Sequence, residues 1–254
     1  MTNARWSPLV LIEDVRTCIG FLTRVPVSAI SKHGNLARAS WAFPLAGLVV
    51  GAIGALVLWL AHKAGLPALV AATLAVAVTV LATGCLHEDG LADTADGFGG
   101  GATRERKLEI MRDSSIGAFG ACAVGLSLIL RIVALASIAD VAAAAWVLLA
   151  SHVAARAVLP MTMRLVPRAR AEGLSFAAGR PSGVSAAVAA SLGVVALSAG
   201  LGAERAVVAL LAVVVISVVM AWACRRQIGG QTGDTLGALE QATEIAVLLV
   251  AAAR

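Results

Sequence analysis

The residues best equipped for chemistry lie between Gly84 and Gly120, in the polar, Gly-punctuated stretch GCLHEDGLADTADGFGGGATRERKLEIMRDSSIGAFG, which sits between two long apolar runs. On a helix advancing about 100° per residue, Asp93 stands about 40° from Asp89, and Asp96 about 20° to the other side. Asp89, Asp93 and Asp96 thus share one stripe. Carboxylates this close repel one another unless cations neutralise them, and their hard oxygens suit Mg²⁺ or a similar ion. The blander alternative is a solvated acidic loop with aspartates at caps and turns. The bare D-x3-D-x2-D pattern is only moderately specific, and its place beside an apolar run strengthens it. Gly97 to Gly101 is expected to break the helix and to let backbone N–H groups approach a phosphate. Arg104, Arg106, Lys107 and Arg112 follow on a short polar helix as a candidate pyrophosphate clamp, a role compatible with marking membrane topology.

A second polar insertion, RRQIGGQTGDTLGALEQATE, carries Asp234, Glu240 and Glu244. Glu240 and Glu244 share a helix face, and carboxylates inside a membrane are functional candidates by default. Asp234 either caps the last helix or joins the aspartate stripe in one site. Arg156 stands mid-way along an apolar run; an arginine there costs about 2.5–3.5 kcal/mol on insertion scales, so it must face the bundle interior and an acidic partner. Arg131, nearer a span end, is expected to snorkel. His152 reads more readily as a packed histidine than as a ligand. Cys18, Cys85, Cys122 and Cys224 show no metal spacing and read as small apolar residues. No zinc cluster and no nucleophile elbow is present.

The elements that must position these groups follow from composition. The chain is 59% hydrophobic and 14% charged, with a mean hydropathy of +0.90. That profile belongs to a polytopic membrane protein, an all-α bundle read here as one domain over 1–254. The broken apolar stretch 7–23, interrupted by Glu13, Asp14 and Arg16, reads as an interfacial N-terminal helix rather than a span or cleavable signal. Seven spans follow, near 41–61, 67–83, 116–138, 141–161, 184–201, 206–223 and a last run ending at Ala253. Gly47 and Gly51 form a G-x3-G that lets helices approach closely. Of the 20 Lys and Arg, 15 fall on the side of the N-terminal arm and the connections 84–115, 162–182 and 224–235. Only Lys63, Arg205 and Arg254 fall on the other. The positive-inside rule places the rich side, with both acidic motifs, in the cytoplasm, so the +5 net charge reads as topology and not as nucleic-acid affinity. A pore needs polar groups along its whole path, whereas here they gather at one face. That asymmetry favours an enzyme over a cation channel or carrier. Carboxylates, a Gly-rich segment and arginines suit phosphoryl or nucleotidyl transfer, in which two metals about 3.5–4 Å apart stabilise attacking and leaving oxygens.

H-x-D-G-L-A-D-T-A-D-G at 87–97, L-E-I-M-R-D-S at 108–114 and G-G-Q-T-G-D-T-L-G-A at 229–238 resemble the cobalamin synthase family, adenosylcobinamide-GDP ribazoletransferases. F-L-T-R-V-P-V at 21–27 and E-G-L at 172–174 extend the resemblance over nearly the whole chain. It implies transfer of adenosylcobinamide phosphate from adenosylcobinamide-GDP to α-ribazole or its 5′-phosphate, with release of GMP. It also implies Mg²⁺ dependence and an inner-membrane location among lipid, and leaves a homo-oligomer open. By the motifs, Asp89, Asp93, Asp96 and Asp234 are the catalytic candidates, the first three as metal ligands. His87, Arg104, Arg112, Asp113 and Arg156 are the substrate-binding candidates. Ser115 stands where the family usually has a basic residue, and His152 where an arginine is common, with Arg156 as the substitute. Glu88 falls at a variable position. A looser resemblance to CDP-alcohol phosphotransferases is the alternative, weakened because Asp93 replaces the arginine of D-G-x2-A-R.

Overall fold

The computed structural model describes residues 7–27, 35–173, 176 and 178–253. Of the sequence expectations, those resting on Arg5 and Lys32 of the N-terminal arm, on Leu174 and on Arg254 fall outside the described residues. The described helices are α1 (Pro8–Leu22), α2 (Leu36–Ala39), α3 (Phe43–Lys63), α4 (Ala68–Thr83), α5 (Leu86–Gly100) and α6 (Arg104–Ile110), then α7 (Ala118–Ala136), α8 (Val141–Ala157), α9 (Leu159–Leu165), α10 (Gly183–Leu201), α11 (Ala203–Ile228) and α12 (Gly233–Ala252). No strand occurs among the described residues. Six helical stretches are long and apolar enough to cross a membrane, and α4 with α5 makes a seventh, bent by 87°. α4 lies antiparallel against α3, its Thr79 beside Gly54, and at 1.5 Å per residue it spans about 24 Å.

The bend is built from Gly84 (φ 65°) and Cys85 (φ 61°), two consecutive left-handed residues. Gly84 takes that conformation without penalty, but Cys85 does so against its own Cβ. The expected helix break at Gly97 does not occur. α5 continues to Gly100 and is capped at Gly101, because these glycines serve close packing. A Cβ on Gly99 would lie 2.8 Å from the Phe119 ring, and one on Gly101 2.6 Å from Lys107. Their amides are therefore helical and do not form a phosphate-binding loop.

Small residues draw the core helices together. A Cβ on Gly51 would lie 2.8 Å from Leu149 Cα, and Gly47 meets the His152 backbone, so the G-x3-G of α3 is the face that receives α8. The N-terminal helix is pinned by a buried acid: Asp14 accepts from Arg38 Nε at 2.8 Å and from Trp41 Nε1 at 2.9 Å. The polar connections meet at one end of the bundle. Gln231 N donates to Pro167 O at 2.7 Å, Ala169 N to Gln231 O at 2.9 Å, and Arg104 Nη2 to Ala169 O at 3.2 Å.

Candidate active site

The last helix packs on α5, the bent extension of the second span, and not on the span itself. Two glycines make this possible. A Cβ on Gly90 would lie 2.7 Å from the Asp234 carbonyl oxygen, and one on Gly237 3.3 Å from Gly90 Cα. The backbones touch there, so Asp234, at the first turn of α12, is carried to the exposed face of α5. The helix start is fixed locally by a capping box in which Thr232 and Thr235 each take the other's backbone N–H. Asp89 is exposed, and Asp93 and Asp234 are half-buried. Asp93 lies within electrostatic reach of Asp89, Asp96 and Asp234, with the Arg170 guanidinium acting against them. Arg170 Nη1 stands 3.5 Å from Asp234 Oδ2, and its Nη2 donates to Leu108 O at 2.8 Å. Burial lowers the Arg170 pKa against the opposing pull of Asp234. Sequence reading missed Arg170 as a site residue; it was only one of the cations of the 162–182 connection.

Asp96 departs from the expected stripe. It is buried, and its two oxygens accept from Gly117 N at 2.7 Å and Gly120 N at 2.8 Å. A carboxylate at a helix N-terminus satisfies otherwise orphaned amides and meets the positive end of the dipole. The aspartate thereby aims α7 at α5, and the exposed acidic set becomes Asp89, Asp93 and Asp234.

Below this face lies a second, fully enclosed ionic cluster. Arg131 binds Glu88 at 2.9 Å and Glu244 at 3.4 Å. Arg156 pairs with Glu240 and donates to His152 O at 3.1 Å. His152 Nδ1 lies 3.3 Å from Glu244. Gln241 Nε2 donates to Glu88 at 3.2 Å and to Glu240 at 3.0 Å, and its Oε1 accepts from Ser127 Oγ at 2.8 Å. Arg131 is 1% exposed, so it does not snorkel. Arg156 finds the acidic partner its mid-span position demanded, and it faces inward, buried against Glu240. Glu88, set apart from the stripe by its rotation, belongs here, and His152 is a packed histidine. Glu240 orients Arg156, whereas Arg112 pairs with Glu172 at 2.6 Å on the surface.

The other candidates divide. Arg112 and Asp113 are exposed and line an open cavity of about 570 Å³ together with Asp96, Gly100 and Arg106. Bonds from Ser115 hold the Asp113 pKa below the ordinary carboxylate range. Arg104 instead ties α6 to the connection at Ala169 and packs beside Gly229. His87 is buried, its Nδ1 3.4 Å from Arg156 Nη2.

Asp89, Asp93 and Asp234 offer hard oxygens in excess over one guanidinium, which suits Mg²⁺. Among the described residues, the one trio whose ligand atoms all fall within 4.8 Å is His152, Glu240 and Glu244. That trio is already neutralised by Arg131 and Arg156, and a divalent ion there would meet two fixed cations.

A family model for cobalamin-5-phosphate synthase matches residues 14–252. Three relatives carry the name adenosylcobinamide-GDP ribazoletransferase. The protein of Bradyrhizobium diazoefficiens is 53% identical over 96% of this chain and 94% of its own length. That of Mesorhizobium japonicum is 50% identical over 99% and 97%, and that of Azorhizobium caulinodans 44% identical over 94% and 95%. No solved structure matches the chain.

Proposed function

The chain belongs to the cobalamin-5-phosphate synthase family, and we propose that it performs the step named by its relatives, joining the adenosylcobinamide phosphate unit of adenosylcobinamide-GDP to α-ribazole or its 5′-phosphate. The observation that carries this reading is the meeting of Asp89 and Asp93 with Asp234 and Arg170 at one polar end, from motifs about 140 residues apart. It is the assembly nucleotide-loop transfer needs. Family membership removes the ground for the CDP-alcohol phosphotransferase alternative.

In the reaction a ribose hydroxyl oxygen attacks the phosphorus next to cobinamide, the bridging P–O bond breaks, and GMP departs with the electron pair. Asp234, beside the acid face and hydrogen-bonded by Thr232 Oγ1 at 3.1 Å, is placed to receive the hydroxyl proton. Arg170 and Arg112 supply guanidinium donors for the pyrophosphate and the departing phosphate. Asp89, Asp93 and Asp234 are the residues that would hold Mg²⁺, which when bound neutralises charge on the pyrophosphate and leaving group. Asp96 keeps α7 seated, and the enclosed network holds α5 from below.

We place the protein in the bacterial inner membrane with this face toward the cytoplasm, on the cation asymmetry of its connections. Membranes containing the chain release GMP from adenosylcobinamide-GDP only when α-ribazole or its phosphate is supplied, and chelation of divalent ions stops release. GMP release that ignores the nucleoside would reject the transfer.

A further inference from the structure

Beside the acid face lies a cavity of about 100 Å³ whose walls differ in chemistry. Phe21 and Leu22 of α1, Phe43 of α3, Leu159 and Met163 of α9 and Leu236 of α12 form an apolar wall. Asp89, Asp234 and His87 line the same cavity. Asp234 also lines a smaller cleft with Arg168, Arg170 and Glu172, so it divides an apolar chamber from a cationic one.

His87 adds an independent mark. Its Nδ1 lies 3.4 Å from Arg156 Nη2, within hydrogen-bond reach, and 3.7 Å from Glu240 Oε2, beyond it. A guanidinium only donates, which makes Nδ1 the acceptor and leaves the proton on Nε2. That Nε2 is buried and has no hydrogen-bond partner among the described residues. A buried donor without a partner is rare and calls for one. The chamber therefore suits a flat apolar ring system carrying one unprotonated ring nitrogen. A guanine would leave several polar edge groups unpaired against the apolar wall, which is strongly disfavoured.

We propose that this chamber seats the fused-ring base of the acceptor nucleoside, with His87 Nε2 donating to the free ring nitrogen and the ribose directed toward Asp89 and Asp234. The pyrophosphate of the donor then occupies the cationic side, at Arg170. Met163, with its three rotatable bonds, is the side chain able to yield to a larger ring. The inference rests on the transferase reading given above, and its test separates the two.

The full-length protein in detergent is assayed for GMP release at varied nucleoside and varied adenosylcobinamide-GDP. Leu159→Phe fills the chamber, and His87→Gln shifts the donor. Each raises KM for the acceptor by about tenfold or more, the equivalent of one lost buried hydrogen bond or a blocked ring. KM for adenosylcobinamide-GDP stays within about twofold. Met163→Ala moves preference toward nucleosides with bulkier bases. Equal rises in both KM values, a rise for the donor alone, or no change in the acceptor KM would overturn the assignment. Should the wild type release no GMP with any acceptor, the transferase reading fails instead. The chamber is then read by fluorescence binding of a benzimidazole riboside. Binding abolished by Leu159→Phe upholds the chamber, and absent or unaltered binding rejects it.

Discussion

α5 and α12 contribute acids to two regions that lie close together yet behave differently. Glu88 and Asp89 are neighbours, but a turn of about 100° sends the first into the enclosed network and the second to the open face. Glu88, Glu240 and Glu244 meet two guanidiniums, with the imidazoles of His152 beside Glu244 and His87 beside Glu240, and are removed from solvent. Among the described residues, Asp89, Asp93 and Asp234 face the Arg170 guanidinium and are exposed or half-buried. The same chemical groups thus serve two ends. Where three glutamates are bound by two buried guanidiniums and a hydrogen-bonding glutamine, the cluster locks helices; where negative charge is in surplus beside solvent, it recruits a cation.

Substitutions at the open face carry the largest expected effect on rate. Asp93→Asn or Asp234→Asn keeps shape, removes charge, and abolishes GMP release. The amount of intact protein in the membrane stays near wild type, and immunoblotting beside the activity assay checks both. Normal turnover at saturating Mg²⁺ would erase the distinction between the regions.

In the enclosed network the loss falls on folding. Arg156→Met strands Glu240, and breaking a buried pair costs about 3–5 kcal/mol, so membrane abundance drops sharply. Arg156→Met with Glu240→Leu removes both charges and restores abundance above either single variant. A double variant as poor as Arg156→Met alone would show that the pair does more than lock helices.

Asp96 lies between the two in effect. Asp96→Asn keeps one acceptor for the α7 amides but loses the charge at the helix end, a cost of about 0.3–2 kcal/mol. Activity falls by roughly tenfold or less, far short of Asp93→Asn. An effect as complete as that of Asp93→Asn would return Asp96 to the metal set.

The smallest effect is expected at a surface pair. Glu172→Gln breaks the exposed contact with Arg112, and such pairs contribute about 0.2–1 kcal/mol. Melting of the detergent-solubilised protein shifts by no more than a few degrees, while activity stays within about threefold. A larger loss would make Glu172 part of the site.

Much of this contrast was legible in the sequence because it rests on local pattern. Long apolar runs gave the spans, and Asp89 and Asp93 declared their shared face by spacing. Gly47 and Gly51 announced a close helix approach, and the mid-span Arg156 demanded an acid. What stayed hidden depends on distant or unusual geometry. Arg131 meets Glu88 only because α7 lies against α5. Arg170 reaches Asp234 through the meeting of two connections 64 residues apart. The 87° elbow uses Cys85 in a conformation its residue type does not advertise. Gly97 to Gly101 read as a helix breaker, since sequence alone does not show that Met111, Phe119 and Lys107 pack where a Cβ would stand.

The most direct measurement is Mn²⁺ binding, as a spectroscopic stand-in for Mg²⁺, to the purified wild type, Asp93→Asn with Asp234→Asn, and Glu244→Gln. A surplus-charge site at the open face predicts binding in the wild type, its loss in the double aspartate variant, and its retention in Glu244→Gln. Binding that survives the double aspartate variant and vanishes in Glu244→Gln would place the ion in the enclosed network and contradict the division of roles.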